Sequence, residues 1–215
     1  MNECIYDHGG YFIINGAEKA LIASENVAKN RWICNEDPNK NLRIFVLHQI
    51  HGPYGSFPMS FKISYEQPNS DSPIYPNKVL RVTIKKGITI PLIILFKALN
   101  ITEDEQIINY INYDKNDIEI NNLLVSSLTE SEYITTQEVA LHYIGKRISA
   151  PHLKQEQMIE NAKKHLNQII FNYLPGKYNN KNKIFTLGYM VNHLCQVILK
   201  RKEQSSKDNF INKRT

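Results

Sequence analysis

The chain has 215 residues, a mass of 24.9 kDa and 42% apolar residues, enough to bury the core of one good-sized domain or of a domain with part of a neighbour. Its net charge of +5 and pI near 8.9 suit nucleic acid or an acidic partner, although ordinary solvated surfaces carry the same bias. Cys4, Cys34 and Cys195 form no CxxC pair, no apolar run approaches the roughly 18 residues of a membrane span, and Met1-Asn2-Glu3-Cys4 lacks a signal-peptide pattern, so a soluble, intracellular chain without a disulfide scaffold is expected.

In chain order, Tyr11-Phe12-Ile13-Ile14 is a β-rich run followed by Asn15-Gly16, a pair that readily supplies positive φ angles, and by Ala20-Leu21-Ile22-Ala23. The sequence predicts a hairpin here. Leu42–Leu47, Ser60–Tyr65 and Val79–Ile84 are further strand candidates. In the last, Val79, Arg81, Thr83 and Lys85 alternate with Leu80, Val82 and Ile84. Residues 67–77 carry Pro68, Pro73 and Pro76 among Asn, Ser and Asp, the composition of an exposed loop.

After Pro91 the pattern turns helical. Thr102-Glu103-Asp104-Glu105 has the capping-box spacing and predicts a helix running to about Ile111. Thr135 and Glu138 repeat that spacing before Val139, Leu141 and Ile144. Pro151 suits the first turn of a long helix that Leu174-Pro175-Gly176 would stop. The final helix places Ile184, Leu187, Val191, Leu194, Cys195 and Ile198 on one face. Strands first and helices afterwards predict an α+β fold, with a mixed or antiparallel N-terminal sheet and a helical C-terminal part.

Chemistry-bearing motifs are scarce. His48-Gln49-Ile50-His51 reads as a strand end without further ligands nearby, and Asp114, Asp117 and Glu119 fit no metal loop and read as solvated helix surface. The chain contains no Gly-x-Ser-x-Gly elbow, no phosphate loop and no dinucleotide fingerprint. No catalytic group is expected.

Three ordered blocks carry a resemblance. The first is Gly9-Gly10-Tyr11-Phe12-Ile13-Ile14-Asn15-Gly16-Ala17-Glu18-Lys19. The second runs from Ile90-Pro91 through Leu95-Phe96-Lys97-Ala98-Leu99-Asn100-Ile101. The third is Phe185-Thr186-Leu187-Gly188-Tyr189-Met190-Val191-Asn192-His193-Leu194, followed by Lys207-Asp208-Asn209-Phe210-Ile211-Asn212-Lys213-Arg214; Leu141–Arg147 adds a shorter match. Together they resemble the second-largest subunit of multisubunit DNA-directed RNA polymerase, in its eukaryotic, archaeal and large-DNA-virus branch.

The resemblance implies that residues 1–30 end the first half of a protrusion domain. It implies a lobe domain over residues 31–215, inserted in the protrusion, with 206–215 beginning the return. Fork, hybrid-binding region, wall, anchor and clamp piece would lie outside these residues. The implied role is a wall of the DNA cleft in transcription, with the largest subunit, the rest of the second-largest subunit and DNA as partners and no membrane contact. No cofactor is expected in this chain; Mg2+ and Zn2+ belong elsewhere in the assembled polymerase. Localisation would be the nucleus for a cellular eukaryote, or host cytoplasm or virion for a virus.

Lys19, Lys29 and Arg31 are the candidate DNA contacts implied by the resemblance, with Lys19 equally able to pair a neighbouring acid and hold the hairpin. Where the family usually has Gln-Glu-Arg this chain has Ser24-Glu25-Asn26, and Lys29 and Arg31 stand as substitutes. Gly10, Asn15, Gly16, Glu18, Pro91, Gly188, Tyr189, Asp208, Asn212, Lys213 and Arg214 are the structural motif positions. Gly188 is expected to admit a neighbouring element, and the tail after about Ser205 is expected to fray. The alternative is a separate, non-catalytic protein from a split or duplicated polymerase gene, binding DNA or a transcription factor.

Overall fold

A computed structural model of the chain describes residues 5–7, 9–22, 24–36, 41–52, 55–67, 78–85, 87–114, 116–171, 180–205, 209 and 213–214. The first element is the expected hairpin. Asn15 (φ 55°) and Gly16 (φ 76°) form a two-residue turn with both residues left-handed, the conformation that matches the twist of the paired strands. So tight a turn brings Ala17 opposite Ile14, and β1 (Tyr11–Ile14) pairs β2 (Ala17–Ala20) at once. The second strand therefore precedes the expected Ala20–Ala23 run, of which only Ala20 belongs to it.

Among the described residues, five strands make the main sheet: β4 (Trp32–Glu36), β5 (Leu42–Gly52), β6 (Gly55–Glu66), β7 (Val79–Lys85) and β8 (Ile88–Pro91). They pair antiparallel in sequence order. Register aligns Cys34, Ile44, Ile63, Val82 and Ile90 in one row across all five strands. Each of these residues is wholly buried. Such an apolar row, one per strand, is the period-two signature of a sheet with one face on a core. β5 and β6 run well beyond the predicted Leu42–Leu47 and Ser60–Tyr65, taking in the His48–His51 segment as ladder rather than strand end. The expected proline-rich loop falls largely outside the described residues.

Six helices follow. Pro91 ends edge strand β8 and caps α1 (Leu92–Ala98), with φ −56° suiting both. Its missing N–H is harmless at that position. Every residue of α1 is buried, as a helix apolar all round requires. Its one charge, on Lys97, reaches the Ser131 carbonyl at 3.3 Å and the Asp104 carboxylate at 3.2 Å. That contact helps fix the first turn of α2 (Asp104–Ile111), whose N-cap is Glu103 without a side-chain cap. The capping box from Thr102 does not form. α3 (Ile118–Glu130) is capped by Asp117, and α4 (Gln137–Ile148) by Thr136, one residue after the expected Thr135. α5 (Gln155–Ile169) leaves Pro151 outside, in the preceding turn. It ends at Ile169; the expected Leu174-Pro175-Gly176 stop lies outside the described residues.

The last helix, α6 (Asn180–Ile198), buries Ile184, Leu187, Val191, Leu194 and Cys195 of the predicted stripe and leaves its last member, Ile198, half-buried. α1, α3, α4 and α6 all lie against strands of the sheet, and one continuous core joins the two layers. The expected α+β fold, with antiparallel strands first and helices afterwards, is what forms.

Beyond α6, Lys200 (φ 59°) turns the chain and the last helical carbonyls accept from Lys200 and Arg201. Ser205 then binds the free edge of β4: its N–H donates to the Cys34 carbonyl (2.7 Å) and its Oγ accepts the Cys34 N–H (2.7 Å). Farther on, β9 (Lys213–Arg214) pairs antiparallel with β3 (Asn26–Val27). The β4 edge and β3 thus offer backbone groups to Ser205 and to residues 213–214; the segment expected to fray after Ser205 lies largely outside the described residues.

Candidate nucleic-acid interface

The segment leading into β4 and the segment leaving α6 meet at one place. β3 and β9 set Asn26 opposite Arg214 and Val27 opposite Lys213, and Lys213 Nζ lies 2.6 Å from Glu25 Oε2. Lys29 and Arg31 follow within a few residues, exposed on either side of Asn30 (φ 59°). Both engage other groups of the chain. Lys29 and Arg31 near one end of the sequence and Lys213 near the other therefore belong to one neck, where Glu25 pairs with Lys213. Sequence reading missed this grouping, since no local pattern links positions so far apart. Asp208 and Asn212 lie outside the described residues.

Lys19 is separate from the neck, on β2. Register puts it opposite Phe12, and Glu18 opposite Ile13, so the adjacent acid and base project from opposite faces of the ribbon. That geometry disfavours pairing between Glu18 and Lys19. The hairpin buries nothing: Tyr11, Ile13, Leu21 and Ile22 are all more than 70% exposed. Gly10 (φ 89°) accepts a 2.8 Å bond from Leu21 N–H and continues the pairing past Ala20.

On the helical side, Gly188 brings α6 against α2. A Cβ there would overlap the Tyr110 carbonyl, which is the close approach expected of this glycine. Asn192 Nδ2 donates to the Ile111 carbonyl at 2.9 Å. Tyr189, half exposed, contacts Trp32 with ring centroids 5.2 Å apart and Tyr113 at 6.4 Å, linking α6 to β4 and to the end of α2. Arg201 grips Asp117 and Glu119 with both guanidinium nitrogens. Its hydrogen bonds hold the Asp117 carboxyl below the usual aspartate range. Of the three acids expected to be solvated helix surface, Asp114 and Glu119 are exposed as expected, while Asp117 is half-buried and, with Glu119, pairs with Arg201. Burial pushes the Cys34 and Cys195 thiols up to about 12. Among the described residues, no group of three or more His, Cys, Asp or Glu side chains is placed to hold a metal ion.

These features are joints and a basic neck rather than converging reactive groups. A family model described as RNA polymerase Rpb2, domain 2, matches residues 28–215. The chain belongs to this family.

Relatives of this Rpb2 domain 2 chain span distant lineages. The DNA-directed RNA polymerase II subunit RPB2 of Meyerozyma guilliermondii is 35% identical over 222 residues, covering 100% of this chain and 17% of the relative. DNA-directed RNA polymerase II subunit 2 of Arabidopsis thaliana is 32% identical over 218 residues, covering 100% and 18%. DNA-directed RNA polymerase subunit Rpo2 of Sulfolobus acidocaldarius is 29% identical over 209 residues, covering 97% and 17%. The chain spans less than a fifth of the length of these relatives. Within the Rpb2 domain 2 match fall Pro91, Gly188, Tyr189 and the β9 residues; the hairpin motif precedes it.

Proposed function

We propose that the chain works as part of the second-largest subunit of a DNA-directed RNA polymerase, forming a wall of the DNA cleft in template-directed RNA synthesis without a complete active site of its own. The observation that carries this reading is similarity along the whole chain to RPB2 and Rpo2 subunits of eukaryotes and archaea. The hairpin supports it. Exposed apolar residues on both faces of a two-stranded ribbon call for cover by other protein, which the rest of such a subunit would supply.

In this reading residues 1–30 are the end of a protrusion half, residues 31–215 the lobe, and 206–215 the start of the return. The β3–β9 ladder fits that division, because entry and exit strands of an inserted domain should lie together. Other polymerase subunits, the largest in particular, are the partners. Lys19, Lys29 and Arg31 contact DNA phosphates without reading sequence. Mg2+ and Zn2+ are assigned to other parts of the enzyme. The site of action is the nucleus for a eukaryotic source, and host cytoplasm or virion for a viral one. Similarity at both ends of the chain to one family leaves a separate binding protein unfavoured.

The test is reconstitution. The chain is co-expressed with the remaining parts of the second-largest subunit and the largest subunit from the same source, and RNA synthesis is measured on a defined template. Co-purification with template-dependent synthesis is expected. A chain that joins none of these parts overturns the reading.

A further inference from the structure

An open groove of about 560 Å³ lies along α4. Its apolar walls are Tyr133, Ile134, Val139 and the ring of Tyr143; its polar lining comes from His142, Lys146 and Arg147. None of the lining residues is acidic. Tyr133 and Val139 are about half exposed or more, at 63% and 46%, so the groove presents apolar surface to solvent. The guanidinium carbon of Arg147 sits 3.5 Å from the Tyr143 ring centroid, and its Nη1 donates to the Tyr143 carbonyl at 3.3 Å. Stacking and hydrogen bond together fix the cation at the groove's edge. The C-terminal end of α4 adds further negative partial charge under Lys146 and Arg147, helping to keep both basic side chains there.

We propose that this groove docks an acidic peptide segment of a partner protein, with one apolar side chain of that segment entering between Tyr133, Ile134, Val139 and Tyr143 and flanking carboxylates meeting Lys146 and Arg147. Charge complementarity selects an anion, and the ring geometry selects peptide over nucleic acid. A stacked base needs a free aromatic face. One face of Tyr143 is covered by Arg147, and Tyr133 is tilted 57° to it with centroids 6.3 Å apart, so the two rings do not form parallel platforms for successive bases. An apolar floor with cations at the rim instead fits a short segment that mixes acidic and apolar residues.

The experiment uses the full chain and fluorescence anisotropy. The probe is a labelled dodecapeptide of glutamate and aspartate with a single central phenylalanine. The comparisons are the same peptide with serine at its centre, an all-lysine peptide, and oligothymidylate of equal length. The acidic phenylalanine peptide should bind most tightly and weaken with added salt. Lys146→Glu, at an exposed position, should lower its affinity about tenfold or more. Tyr133→Ala should abolish the advantage of phenylalanine over serine. Far-ultraviolet circular dichroism confirms that both variants fold. Failure of the acidic peptide to bind, equal binding to the Lys146→Glu chain, or tighter binding of oligothymidylate that Lys146→Glu removes would each overturn the proposal.

Discussion

Gly188 in α6 lies directly against the backbone carbonyl of Tyr110 in α2. The obstacle is main chain, which cannot rotate aside, so the two helices must separate to admit a methyl group. Overpacking of this kind costs about 1–3 kcal/mol, and the better helix propensity of alanine returns about 1 kcal/mol at most. Gly188→Ala should therefore still lose stability in urea denaturation, and Gly188→Val should lose more. An unchanged midpoint for Gly188→Val would mean that the helices do not approach this closely.

The bond from Cys34 N–H to Ser205 Oγ satisfies a β4 edge donor that has no strand partner. Ser205→Ala removes the acceptor while keeping the backbone bond to the Cys34 carbonyl. A loss of about 1 kcal/mol is expected, with faster amide hydrogen exchange at Cys34 as the local readout.

Because Arg201 holds the Asp117 carboxyl below its ordinary value near 3.8, the carboxylate contributes stability that is fully present above that value. The contribution is lost as pH falls through the lowered folded value. The guanidinium is 41% exposed, so the effect is modest and screened by salt. Urea midpoints measured at successive pH values below 3.8 should fall less steeply in Arg201→Gln than in the parent chain.

Cys34 and Cys195 are wholly buried, with thiols pushed up to about 12. Thiolate is the reactive form, so iodoacetamide at pH 8 should label neither in the folded chain and both after denaturation. Peptide mapping by mass spectrometry checks this directly. Rapid labelling of Cys195 in native buffer would contradict the α6 packing.

At the neck, Lys29→Gln and Arg31→Gln should weaken binding of the reconstituted polymerase to unrelated DNA sequences alike. Each should reduce the slope of log affinity against log salt by about 1. A change at one sequence only, or no change in slope, would remove these residues from the phosphate contacts.

The elements read most accurately from sequence were those governed by local chemistry. Asn15-Gly16 dictates its own turn, and the α6 stripe follows from helical period alone. The boundaries that shifted were those where neighbouring residues compete. Thr135 and Thr136 are both competent caps, and only the latter's hydroxyl meets an amide, that of Val139. At α2, Thr102 lost to a first turn organised partly by the buried Lys97, a contact no spacing rule contains. β5 and β6 were read too short because polar residues and Pro58 mask strands whose lengths are set by pairing with each other. The basic neck was invisible for a similar reason: its two halves become neighbours only when the body between them has folded.

The distance along the chain between β3 and β9 assigns an order to folding. A two-residue ladder has too few hydrogen bonds to hold itself together, and closing so long a stretch of chain to form it first would carry a large entropic cost. The compact sheet and helices must therefore assemble beforehand and deliver Val27 and Lys213 to each other. The neck is a late event, and its amides report whether everything between them is already in place.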